Sequence, residues 1–325
     1  MDNKRFIFRS YFSDYFNEYI EFRQAISKSA NSAKENFANL DRYILENWPD
    51  ETTLSEDLVL GWLTRRPNES GRTLNGRASF IRVFASYLVE TGRDAYVVPK
   101  DFCTSGIRYT PYLFTDQELG TLFRVIDTDT NVDQFVGCIL STVLRLIYTC
   151  GLRPSEGLRV LRNNVNLTTG EILLVKTKGH KERIVVMSDD MLRLMKRYIS
   201  IRDVAFPDSD YLFPDPYGEP YPAQWLSDRF RKYFRSLHPG VELSEMPCAR
   251  VYDLRHRFAS QCLVNWLGNG VDLNTRLPYL STYMGHGSIN ETAYYIHILP
   301  ENLLSSETID FNAMEAIIPE VAYER

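Results

Sequence analysis

Cysteine is scarce in these 325 residues and badly spaced for structural work. Cys103, Cys138, Cys150, Cys248 and Cys262 include no C-x-x-C pair, and an odd number without metal-like spacing argues against a closed disulfide framework or a zinc site. They read as small buried apolar residues. Nowhere do 18 apolar residues run together, and the N-terminus, Met1-Asp2-Asn3-Lys4-Arg5, leads into mixed aromatic and charged residues rather than the apolar core of a signal peptide. A cytosolic protein is expected. Basic charge is not in excess either, since the net charge is −5. The surplus acid sits in residues 299–325, where six acids face Arg325, and the body before it is balanced. A balanced body binds nucleic acid if its basic residues share one face, so the charge neither supports nor excludes that partner.

What is present is ordinary globular composition, 44% hydrophobic and 24% charged, in a chain long enough for two domains. Helical periodicity marks residues 7–26, 30–48, 54–63 and 73–89, which make one small helical domain over 1–98. Pro99, Pro111 and Ser105-Gly106 break the pattern over 99–112, which reads as an extended linker. A second domain, 113–298, opens with Thr115-Asp116-Gln117-Glu118, a capping box that predicts a helix start. An almost wholly apolar helix is expected over 133–149, stopping at Gly151. The period then changes: residues 171–175 and 182–187 are rich in Ile, Leu and Val around Lys178-Gly179-His180-Lys181, the pattern of a short hairpin with lysines at its tip. Helices are expected again over 189–204, 222–237, 251–267 and 273–284, the last distorted by Pro278. The fold class is mainly α with one small antiparallel β-hairpin. In the acidic tail, 299–325, Phe311, Met314, Ile317 and Ile318 share one helix face, a stripe that must be buried against its own domain or a neighbour.

Four residues stand out for chemistry. Arg153 lies in Gly151-Leu152-Arg153-Pro154-Ser155-Glu156, where Pro154 suits the first position of a helix and Glu156 offers the arginine an ion pair. Arg255 lies in Tyr252-Asp253-Leu254-Arg255-His256. His286 follows Gly285, precedes Ser288-Ile289-Asn290-Glu291, which reads as a second capping box, and is followed nine residues later by Tyr295. Two guanidinium groups can clamp one phosphodiester bidentately while a tyrosyl oxygen attacks its phosphorus. Tyr294 adjoins Tyr295, but adjacent helical residues point about 100° apart, so both cannot face one phosphate.

In that order, two arginines, a histidine and a tyrosine resemble the active site of the tyrosine recombinase and phage integrase family, with Tyr-Ile-His after Tyr295 following the family's Tyr-x-His pattern. The resemblance covers residues from about 140 to 297, and the helical domain before them resembles the core-binding domain of integrases and Xer-type recombinases. It implies a two-domain clamp on double-stranded DNA and site-specific recombination through a 3′-phosphotyrosine, with no metal or nucleotide cofactor. It also implies Tyr295 as nucleophile, Arg153, Arg255 and His286 as phosphate ligands, and Lys178 as the acid that protonates the leaving 5′ oxygen, with Lys176 and Lys181 as alternatives. The family places a histidine three residues before the second arginine. This chain has Tyr252 there, a hydrogen-bond donor but, with a pKa of roughly 10, a poor proton shuttle. Either Tyr252 substitutes in part, or His256 swings in, or activity is reduced; His256, one residue round the helix, is expected to pack or cap locally. Arg72, Arg77, Arg82, Arg229, Arg231, Lys232 and Arg235 are candidate DNA contacts, and the tail a candidate link between protomers of a homo-tetramer. Rival readings are a type IB topoisomerase, which cuts and reseals as a monomer, and a DNA-binding accessory protein whose site has decayed.

Overall fold

The computed structural model describes residues 7–26, 28–102, 110–175 and 182–296. The chain falls into two compact units, Met1–Tyr109 and Thr110–Arg325. The described residues are mainly helical, with one two-stranded antiparallel sheet, the fold class expected from the sequence.

The first unit contains α1 (Ser13–Ala25), α2 (Asn31–Asn47), α3 (Glu56–Leu63) and α4 (Gly71–Glu90). Its core is strongly aromatic: Phe16 stacks on Phe37 at 4.4 Å, and Phe37 meets Phe84 edge to face at 4.8 Å. Helix α1 starts six residues later than its periodicity suggested. The buried Asp41 carboxylate on α2 accepts from the backbone amides of Arg9 and Ser10 and from the Ser10 hydroxyl, which fixes that stretch as non-helical.

Two expected DNA contacts are engaged inside this unit. Arg77 is buried; its guanidinium pairs with Glu69 at 2.7 Å and donates to the carbonyls of Trp62 and Thr64. It fastens α4 to the end of α3 and is corrected from a phosphate ligand to a structural tie. Arg82 donates to the carbonyls of Val98 and Pro99, both at 2.7 Å, and pins the segment after α4. Arg72 is exposed.

The second unit begins at α5 (Asp116–Thr128), where the expected capping box is present: Thr115 accepts from the Glu118 amide and Glu118 from the Thr115 amide. The apolar α6 (Gln134–Cys150) crosses the core and stops at Gly151, whose left-handed φ of 63° closes the helix. A side chain there would collide with the Phe258 ring. The chain turns at once into the short α7 (Pro154–Leu158), with Pro154 at its first position. Strands β1 (Glu171–Leu174) and β2 (Arg183–Val186) pair with Leu174 opposite Arg183. The lysines expected at the hairpin tip, Lys176, Lys178 and Lys181, lie outside the described residues. Then follow α8 (Asp189–Ala205), α9 (Ala223–Ser236), α10 (Val251–Gly268), α11 (Leu273–Met284), which runs through Pro278, and α12 (Asn290–Ala293). The capping box expected at Ser288 is not formed, because Ile289 is the residue that precedes α12 and it has no side-chain acceptor. Among the described residues no helix is long and apolar enough to cross a membrane. The tail, 299–325, lies outside the described residues.

Removing one partner of a buried ion pair strands the other charge, at a cost of about 3–5 kcal/mol. Arg77→Leu is therefore expected to lower the unfolding free energy of the first unit by that order, read by urea denaturation. The slope of log DNA affinity against log salt should stay as it is in the wild type.

Candidate active site

The site is assembled at the carbonyl end of α11. Gly285, at φ 67°, closes this helix in the left-handed region, and the His286 amide donates back to the Ser281 carbonyl at 3.0 Å. That closure leaves three consecutive carbonyls facing outward, and an arginine takes each one. Arg183 Nε donates to Tyr283 at 2.8 Å, Arg255 Nη2 to Met284 at 2.7 Å and Arg153 Nη2 to Gly285 at 2.6 Å. Unpaired carbonyls and the negative end of the helix dipole suit cations at this end.

Glu156 ties two of these arginines together. One oxygen accepts from Arg153 Nη1 at 2.7 Å and Arg183 Nη1 at 3.0 Å, and the other from Arg183 Nη2 at 2.7 Å and the Arg153 amide at 2.9 Å. Burial alone would raise this carboxyl, but Arg183 and Arg153 outweigh it and hold it down at about 2. Arg153 keeps its charge in turn: burial works against it, and Glu156 together with the neighbouring Tyr252 raises its pKa above the ordinary value. The ion pair with Glu156 and a phosphate-binding role are compatible, because the carboxylate orients the guanidinium. Arg183 was not singled out in the sequence, where it is one cation among several around the hairpin. Its place at the foot of β2 was the available signal.

Arg255 is fully buried on α10 and bridges two helix ends, donating Nη1 to the Gly151 carbonyl at 2.7 Å and Nη2 to Met284. Burial lowers its pKa, with Tyr252 and Tyr295 opposing that shift. His286 is buried, its Nδ1 2.6 Å from the Thr292 hydroxyl on α12. Burial first, then Arg255, Arg153 and Arg183, bring its pKa to about 3, so the ring is neutral at pH 7. Tyr295 follows α12 and is 2% exposed. Its ring lies parallel to that of His286 at 6.1 Å. Burial raises its pKa, while Arg255 and Arg153 pull against that rise.

Arg153, Arg255, His286 and Tyr295 are thus brought together, with Tyr252 beside them. One expectation is overturned. His256 does not merely pack or cap: its Nδ1 lies 3.1 Å from the Tyr295 hydroxyl. The one-residue offset from Arg255 turns it away from the guanidinium's carbonyl partners and toward the phenol. Thr292 was also missed, since a lone threonine on a short helix carries no pattern.

The other expected DNA contacts in this unit lie on α9, where Arg231, Lys232 and Arg235 are exposed and Arg229 is half-buried. Arg231 pairs with Asp228 at 3.0 Å and Lys232 with Asp129 at 3.1 Å. Among the described residues no cluster of His, Cys, Asp and Glu could hold a metal ion.

Comparison with known proteins follows the same residues. The sequence pattern of the phage integrase family matches residues 114–302, more than half of the chain. A Sinorhizobium fredii protein named as an integrase/recombinase is 29% identical over 304 residues, covering 89% of this chain and 92% of its own. The tyrosine recombinase XerC of Alcanivorax borkumensis is 25% identical over 262 residues, 79% of each. Among solved structures, the Tn1549 transposon integrase in complex with transposon right end DNA superimposes with a TM-score of 0.66 at 14% identity, over 93% of this chain and 96% of that one. The recombinase XerH bound to its palindromic difH substrate does so with a TM-score of 0.63 at 18% identity, over 82% and 76%. At these identities the structural likeness establishes the fold.

A glutamate held at about 2 stabilises the folded state above its ordinary value of 4.5, and that stability disappears as pH falls through its folded pKa. A shift of this size corresponds to about 3 kcal/mol. Glu156→Gln is expected to remove it, flattening the stability curve between about pH 5 and pH 2 in chemical denaturation series.

Proposed function

This chain belongs to the phage integrase family, and from that membership we propose the reaction and the role of each residue in it. The chain is a site-specific tyrosine recombinase that cleaves and rejoins double-stranded DNA, as the element-borne integrases among its likenesses suggest, and it works in the cytoplasm. The observation that carries this reading is the closure of two guanidiniums, an imidazole and a phenol around the carbonyl end of α11.

Arg153 and Arg255 bind the non-bridging oxygens of the scissile phosphate with the donors their carbonyl partners leave available. Held in place by the protein, they stabilise the pentacoordinate transition state without reorganising, and such a donor is worth on the order of 10²–10³ in rate. His286 adds a third donor. With the Thr292 hydroxyl donating to Nδ1, the imidazole hydrogen sits on Nε2 for a phosphoryl oxygen. Tyr252, beside Arg153 and on the helix of Arg255, donates from its hydroxyl where other family members use a histidine. Tyr295 attacks phosphorus, a 3′-phosphotyrosine forms, and the 5′ oxygen leaves with a proton from Lys178, whose flexible stem suits an acid delivered when DNA is bound. A partner strand's 5′ hydroxyl reverses the step.

The helical unit 1–98 and the catalytic unit 113–298 close on the duplex as a clamp joined by residues 99–112. Exposed cations, Arg72 on the first unit and Arg231, Lys232 and Arg235 on α9, supply phosphate contacts. Each one removed should reduce the salt slope of binding by about one. The apolar stripe of the tail docks on a neighbouring protomer and links four chains into a synaptic tetramer.

On a nicked suicide duplex the wild type should accumulate a covalent protein–DNA adduct and Tyr295→Phe none; an adduct with the phenylalanine variant would overturn the assignment. Deleting residues 305–325 should abolish synapsis in native gels while leaving cleavage of a single duplex in place.

A further inference from the structure

We propose that His256 is the proton acceptor for Tyr295, taking up the phenolic hydrogen as the tyrosyl oxygen attacks phosphorus. The inference rests on the recombinase reading above and assigns a catalytic role to a residue that the sequence reading set aside. Two imidazoles flank the phenol, and their contacts differ. His286 lies parallel to the Tyr295 ring, and its Nδ1 is engaged by Thr292 at 2.6 Å. His256 points a ring nitrogen at the reacting atom itself, with Nδ1 3.1 Å from the hydroxyl. Tyr252 occupies the place where an imidazole would otherwise stand, and its side chain carries no ring nitrogen to take up a proton.

The tautomer follows from the far side of the ring. His256 Nε2 lies 3.9 Å from a carboxylate oxygen of the fully buried Asp253. That is beyond hydrogen-bond range, but the negative carboxylate favours the ring hydrogen on the nearer nitrogen, Nε2, which leaves the Nδ1 lone pair for the Tyr295 hydroxyl. Asp253 then stabilises the imidazolium that forms.

The groups facing this imidazole also gate it. Arg255, Asp253 and Tyr252 stand on its own helix, Arg250 is the residue just before that helix, and Tyr295 and His286 approach from the segment beyond α11. Burial, then Arg255 and Arg250, hold the ring at about 4 without DNA, which keeps the proton on the phenol and the nucleophile quiet. An arriving phosphodiester brings negative charge to the arginines and raises the basicity of the ring at the moment it is needed.

Atoms balance in both directions. In cleavage the Tyr295 Oη–P bond forms, the P–O5′ bond breaks, the phenolic proton passes to His256 Nδ1, and the departing 5′ oxygen takes a proton from Lys178. In rejoining, the attacking 5′ hydroxyl returns its proton to the lysine, the Oη–P bond breaks, and the imidazolium reprotonates the phenolate.

The test is single-turnover cleavage of nicked suicide duplexes tiled across the DNA that flanks the gene, with wild type, His256→Ala, His256→Asn and Tyr295→Phe. Asparagine can hold the hydroxyl by a hydrogen bond but cannot take its proton, and if the alanine variant does not fold the asparagine variant decides alone. Both substitutions should slow adduct formation about 10²–10⁴-fold with unchanged duplex affinity. The residual rate should climb toward high pH and respond to added imidazole. Wild-type rates in His256→Asn would overturn the proposal. So would full recovery when sulfur replaces the bridging 5′ oxygen, since that places the defect at the leaving group. Failure of the recombinase reading looks different: the wild type would form no adduct on any duplex, or Tyr295→Phe would still form one, and the base role would fall with it.

Discussion

Everything in the catalytic unit is arranged around one electrostatic fact, the open carbonyl end of α11. A helix that stops in a left-handed glycine exposes its last carbonyls, and here Tyr283, Met284 and Gly285 each receive a guanidinium. Three cations, Arg255 fully buried and Arg153 and Arg183 half-buried, would repel one another where water is largely excluded. The carbonyls, the helix dipole and Glu156 offset that repulsion, so the positive charge is held in place before any phosphate arrives. This is the arrangement in which a fixed charge does most for an anionic transition state, because nothing must reorient during the reaction.

The same concentration of charge sets the protonation of its neighbours. His286 and His256 are both held neutral, at about 3 and about 4, by burial and by the arginines. Tyr295 feels the two influences in opposition: burial favours the phenol, the arginines favour the phenolate, and burial wins. A phenol kept protonated and 2% exposed is poorly placed to react until that balance changes. An anionic ligand alters the balance for all three residues at once, since each is coupled to the same cations.

The helical unit draws its stability from other sources. Stacked and edge-on rings of Phe16, Phe37 and Phe84 fill its centre, and two charged residues act as internal ties: Asp41 holds the chain before α1, and Arg77 joins α4 to the end of α3. Arg77 illustrates how a helical arginine that looks like a DNA contact by spacing is claimed by a carboxylate eight residues earlier. Arg72, five residues before it, stays exposed.

What the sequence determined by itself was set by local rules. Periodicity gave the helices to within a few residues, the start of α1 excepted, Thr115 and Glu118 marked a helix start, Gly151 marked a helix end, and the motifs around Arg153, Arg255, His286 and Tyr295 pointed to side chains that the fold brings together. These signals are legible because capping, helix closure and motif spacing depend on neighbours in the chain. Tertiary structure alone decided which polar groups meet across long separations: Arg153 with Gly285, Arg183 with Glu156, Arg255 with Gly151 and Met284, Asp41 with Ser10, and His256 with the Tyr295 hydroxyl. Buried charges and donors must be satisfied wherever packing brings a partner, and a one-residue offset on a helix becomes a new direction in space. For that reason His256, set aside in the sequence, comes within 3.1 Å of the Tyr295 hydroxyl.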